Sequence, residues 1–152
     1  MRYNIYNDYI EFEQKSQTYI LDPEPRVKKV TFDSKTFFVL KYDYKGKSKF
    51  GYLQMLDSGK VMLLAKKMLL YREWQPAKAL ESSPTAANYT SSPDLYVYKV
   101  ENGDVVRIEK LKKMIESFPD KREELAQFAT KEKISTKKEE DPIKLIKHYN
   151  SL

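Results

Sequence analysis

Between Gly51 and Trp74 the chain reads GYLQMLDSGKVMLLAKKMLLYREW, and no other stretch limits the fold so tightly. Two apolar runs, Tyr52 to Leu56 and Val61 to Tyr71, flank Asp57-Ser58-Gly59. Asp and Ser bond back to their own backbone in turns, and Gly supplies positive φ. A three-residue loop ending in Gly is a common hairpin connection. The stretch therefore predicts a β-hairpin. Its runs are dense in Leu, Met and aromatics, which places both strands at the centre of a sheet, buried on one face and partly on the other.

The residues before it follow the same period. Tyr3, Ile5, then Tyr9 or Ile10, and Phe12 fall in short runs on either side of Asn7-Asp8, a tight-turn pair. Lys15-Ser16 makes a second turn into Gln17–Leu21. Asp22-Pro23-Glu24-Pro25 is a connection, because Pro fixes φ and removes a donor. Val27, Val30 and Phe32 mark the next strand, Asp33-Ser34 turns it, and Thr36–Tyr42 follows, rich in aromatic and β-branched residues. Lys45-Gly46-Lys47 leads into the central hairpin. Each strand pairs most simply with its neighbour, so residues 2–74 read as one antiparallel meander.

Residues 75–93, QPAKALESSPTAANYTSSP, carry Pro and Ser and few large apolar residues, and read as a long surface loop. Strand signals return in 94–109 as a hairpin about Asn102-Gly103. From residue 110 to 152 the period becomes helical. Leu111, Met114, Ile115 and Phe118 share a face, as do Leu125, Phe128 and Ala129. Asp141-Pro142 looks like a helix start, with Asp as N-cap and Pro first. Ile143, Ile146 and Tyr149 then align, with Leu145 beside them. Helices this short are marginal alone, so they should dock on the sheet or on one another. The fold class is α+β in a single domain, 1–152. An antiparallel β-meander of about eight or nine strands, curved or barrel-like, precedes a short C-terminal helical segment.

Composition excludes several functions. With no Cys there is no thiol nucleophile, disulfide or Cys-based metal site. One His, His148, rules out sites built from several His and reads as an ordinary surface residue. Four Gly in the whole chain leave no phosphate-cradling loop. No catalytic set, metal site or cofactor is expected. No apolar run approaches the roughly 18–20 residues of a membrane helix. The +6 charge alternates with acid along the chain and reads as a soluble surface. Lys41, Lys45, Lys47 and Lys49 gather about one turn, but no nucleic-acid motif accompanies them, and nucleic acid is not an expected partner. Asp8, Glu11 and Glu13 could gather carboxylates for a hard cation, although solvated charge on one strand face is the simpler reading.

Tyrosine is the unusual residue, with 12 copies. In strands it packs its ring and leaves a wet phenol tip. An aromatic face for contact is the functional alternative, and Tyr3, Tyr6, Tyr9, Tyr42 and Tyr52 are its candidate binding residues.

The opening RYNIYNDYIEFE, the ending IKLIKHYNSL and the central GYLQMLDSGKVMLLAKK resemble a family of uncharacterised exported, signal-peptide-bearing proteins of Bacteroidota. The resemblance implies a place in the periplasm or cell envelope and lends no activity or site residue. The chain opens abruptly on strand-like alternation with no leader, which suggests that residues precede Met1 in the natural protein. Three functions follow as expectations. The first is a non-catalytic structural or interaction module that binds another envelope protein. The second is a carrier of a small apolar ligand in a sheet cavity gated by the 75–93 loop. The third is an enzyme using carboxylates and Tyr.

Overall fold

The computed structural model describes residues 1–77, 83–84 and 86–152. Its described residues form nine strands and three helices: β1 (Arg2–Asn4), β2 (Tyr9–Gln14), β3 (Gln17–Leu21), β4 (Lys29–Phe32), β5 (Lys35–Tyr44), β6 (Lys47–Asp57), β7 (Val61–Arg72), β8 (Asn88–Lys99), β9 (Val105–Arg107), α1 (Leu111–Glu116), α2 (Arg122–Lys131) and α3 (Glu140–Ser151). All strand pairing is antiparallel between chain neighbours. Lys15-Ser16, Asp33-Ser34 and Lys45-Gly46 each join two strands as a pair of residues with both φ positive. The twist of such turns matches that of the strands they connect.

The single meander needs correction. The chain forms two sheets, β1-β2-β3 and β4-β5-β6-β7-β8-β9, separated at Asp22–Pro25. Two prolines in that connection cannot donate to a ladder, so pairing does not carry across it. The larger sheet curls until β9 lies close to β5, giving a half-barrel.

Both faces of the curled sheet are filled. On its outer face Val61, Leu63, Ala65, Leu95 and Val97 pack beneath Met114, Phe118, Leu125, Leu145, Ile146 and Tyr149 of the helical segment. Farther along that face Phe37, Val39 and Tyr52 meet Ile10 of the smaller sheet. The inner face holds Tyr42, Leu53, Leu64 and Tyr96, all buried. A half-barrel packed this way has side chains where a carrier would hold its ligand.

Two boundaries differ from the expected ones. β8 starts at Asn88, so residues 88–93 are strand and not loop; residues 78–82 and 85 of that loop lie outside the described residues. Their turn-like composition yields to pairing with β7, from Lys66↔Asp94 out to Arg72↔Asn88. Pro93 is tolerated because β9 pairs with residues 96–98 and, among the described residues, no strand pairs with that edge of β8 at Pro93. The last helix begins at Glu140, not at Pro142. Asp141 accepts the Ser135 N–H at 3.0 Å, and Pro142 sits in the first turn, where amides lack helical partners.

The end of α3 clasps the central hairpin. Asn150 Oδ1 accepts the Val61 N–H at 3.2 Å, and its Nδ2 donates to the Val61 carbonyl at 3.0 Å. Gly59 does not supply the positive φ expected of it; only Gly46 and Gly103 among the glycines do. A Cβ on Gly59 would run into the Asn150 amide, so Gly there lets that amide approach the hairpin closely.

Candidate functional site

β7 changes neighbours along its length. Its first residues pair with β6 as far as Gln54↔Ala65, after which the two strands diverge. Beyond that point β6 continues with β5 and β7 continues with β8. The sheet thus opens into two hairpins with a gap between them. At the fork, the Tyr52 N–H and carbonyl face β7 with no strand opposite. A buried peptide group must find another partner.

Asp8 and Lys66 supply it. The Tyr52 N–H donates to Asp8 Oδ1 at 3.4 Å, and Lys66 Nζ donates to the Tyr52 carbonyl at 3.1 Å. Lys66 Nζ also pairs with Asp8 Oδ1 at 2.5 Å and donates to the Tyr3 hydroxyl at 3.2 Å. Tyr3 in turn donates to Asp8 Oδ1 at 2.7 Å. Asp8 ends the β1–β2 turn at φ 55°, a left-handed conformation that Asp tolerates better than most residues, and this turn carries its carboxylate into the fork. Gly51 makes room, since a Cβ there would collide with that carboxylate. The Tyr3 and Tyr42 rings stand 5.9 and 5.6 Å from the ammonium.

Lys66 is only 5 % exposed, and burial lowers its amine below the ordinary lysine value while Asp8 opposes that shift. The tyrosines move the other way. Burial first, then the Asp8 charge, pushes the Tyr3 phenol far up and the Tyr42 and Tyr52 phenols up to about 12. All three ammonium donors have acceptors, so Lys66 serves as a pin between the two sheets and not as a free amine.

Above this pin lies an open cleft of about 530 Å³. Ile5 and Tyr6 of the β1–β2 turn, Lys49 and Phe50 of β6, Lys67 to Leu69 of β7 and Tyr89 of β8 line it. The β7–β8 ribbon runs past the cleft with Leu69, Leu70, Tyr71 and Tyr89 exposed, and exposed Trp74 follows β7.

Of the candidate tyrosines, Tyr3, Tyr42 and Tyr52 converge on Lys66, and Tyr6 stands at the cleft. Tyr9 stands apart, opposite Asn4 in the small sheet. The proposed carboxylate cluster does not form. Asp8 turns to Lys66, Glu11 is held by Arg2 and Asn4, and exposed Glu13 lies opposite Thr18. His148 is half-buried and not simply a surface residue, since its ring stacks on Phe128 at 3.9 Å. Among the charged turn residues, Lys45 and Lys49 lean over the Tyr44 ring. Lys66, the hub, was hidden within an apolar run; a lone pair of lysines inside VMLLAKKMLL was its only signal. No helix among the described residues is long and apolar enough to cross a membrane. No family model, curated protein or solved structure matches this chain.

Proposed function

We propose that the protein is a non-catalytic binding module whose working surface is the open end of its large sheet. The observation that carries this reading is the fork itself. An ion pair with a buried lysine sits where the two hairpins part, and the gap they leave is walled by exposed aromatic and aliphatic side chains. Contiguous apolar surface of this kind is a feature of interaction sites. The saturated Lys66 ammonium argues against an enzyme that would use it as a nucleophile, because all three of its donors are engaged by Asp8, Tyr3 and Tyr52. The filled inner face moves any small ligand from an enclosed barrel to the cleft. A place in the periplasm or cell envelope rests on the family resemblance alone.

Titration of isotope-labelled protein with a set of small aromatic and aliphatic probes tests the surface. Shift changes should cluster on Phe50, Met68, Leu69 and Tyr89. Clustering in the groove between α1 and α2 instead would overturn the assignment. Fractionation of the source cells tests the location, and recovery in the cytosol would sink the envelope reading.

A further inference from the structure

The cleft has an uneven charge. Asp8 is the carboxylate among its lining residues, and Lys66 and Tyr3 already engage it. Lys49 and Lys67 also line the cleft, and neither has a carboxylate partner among the described residues. Lys49 rests over the Tyr44 ring at 5.3 Å, a contact that leaves the ammonium donors available. Most of the other lining is apolar or aromatic: Ile5, Phe50, Met68 and Leu69, with the Tyr6 and Tyr89 rings. A ligand that satisfies both features has an anionic head and an apolar body. A volume of about 530 Å³ suits a small molecule.

Resting on the reading of the cleft as the binding surface, we infer that the cleft takes a small carboxylate-bearing amphiphile, its head set by Lys49 and Lys67 and its body against Phe50, Leu69 and Tyr89. The pin beneath keeps the site open before the ligand arrives. Opposite charge at the rim gives the choice of head group, and apolar burial gives the bulk of the affinity. A neutral or cationic molecule of the same shape forgoes the first or is repelled.

The test compares 6-phenylhexanoate, 6-phenylhexanamide and 6-phenylhexylamine by calorimetric titration of the full chain. The acid should bind about tenfold or more tightly than the amide, and the amine most weakly. The double variant Lys49→Glu, Lys67→Glu should erase or reverse that order. Lys41→Glu, an exposed charge that does not line the cleft, should leave it unchanged. Equal binding of all three compounds, weakened by Phe50→Ser, would overturn the anionic head while keeping the cleft as a binding surface. Binding indifferent to both the Lys and the Phe50 changes, or no binding by any compound, would overturn the inference together with the reading beneath it.

Discussion

β7 is one strand with two surroundings. From Val61 to Ala65 it lies between β6 and β8, roofed by helices, and all but Met62 of these residues are buried. From Lys67 onward its one partner strand among the described residues is β8, and Leu69, Leu70 and Tyr71 are exposed. Both halves carry a run of large apolar residues, Val61 to Leu64 and Met68 to Tyr71. The difference comes from elements far away in the chain. Asn150 ties down the start of the strand, and Asp8 meets Lys66 where the strand leaves the core. Apolar content alone therefore does not say which part of a strand is core and which part is surface. What covers it decides, and Lys66 marks the border.

The largest effect should come from removing the roof. Leu145, Ile146 and Tyr149 are buried in the outer core, and each is worth roughly 1.5–3 kcal/mol. Small domains total only about 5–15 kcal/mol. Deleting residues 140–152 should abolish a cooperative urea transition or shift its midpoint far down. An unchanged midpoint would show that the roof is not needed for the closed half.

Next comes the pin. Asp8→Ala leaves the Lys66 ammonium buried without its counter-charge, at a cost of about 3–5 kcal/mol. Asp8→Asn keeps an acceptor and should cost less. Equal midpoints for Asp8→Ala and the parent protein in urea would mean that the ion pair does not hold the fork.

The same pin makes a prediction about pH. Tyr3, Tyr42 and Tyr52 ionise at higher pH in the fold than in the unfolded chain, where the value is near 10. Their contribution is complete below that value. It is lost as pH rises through the folded values, about 12 for Tyr42 and Tyr52, because the unfolded phenols lose protons first. Lys66 works in the opposite direction. Its folded value is lowered, so stability rises with pH between that value and 10.5. Phenolate absorbance followed beside circular dichroism should show a late group of tyrosines ionising as the fold is lost. Complete ionisation of every tyrosine while the fold persists would contradict this.

Smaller effects sharpen the contrast. Asn150→Ala leaves the Val61 amide and carbonyl without these partners, and should cost about 1–2 kcal/mol in thermal or urea unfolding. On the open half, Leu69→Ser and Tyr71→Ser should change stability by no more than about 0.5 kcal/mol. A drop as large as that of Asn150→Ala would place the ribbon in the core.

Much of this fold was legible in the residues. Lys45-Gly46 and Asn102-Gly103 mark their turns, the two prolines mark the break after β3, and Leu111, Met114 and Phe118 announce the change to helix. These signals are local and survive without tertiary context. The fork was not legible, because alternation shows which face a residue takes but not which neighbouring strands part. Asp8 read as a turn residue, and Gly51 carried no signal of its own. Their meeting depends on two sheets coming together across dozens of residues. Asn88–Pro93 was misread for the same reason, since only the partner strand makes that polar segment a strand.

Amide hydrogen exchange along β7 tests the central claim most directly. Isolated two-stranded ribbons are marginal, and exposed ladders open locally at little cost. The amides protected between Val61 and Ala65 should exchange only with global unfolding, while those between Met68 and Tyr71 exchange by local opening, orders of magnitude faster. Asp8→Ala should leave this ranking intact and lower protection in the first half along with overall stability. Uniform protection from Val61 to Tyr71 would contradict the account, because the strand would then be one structural unit and Lys66 no border at all.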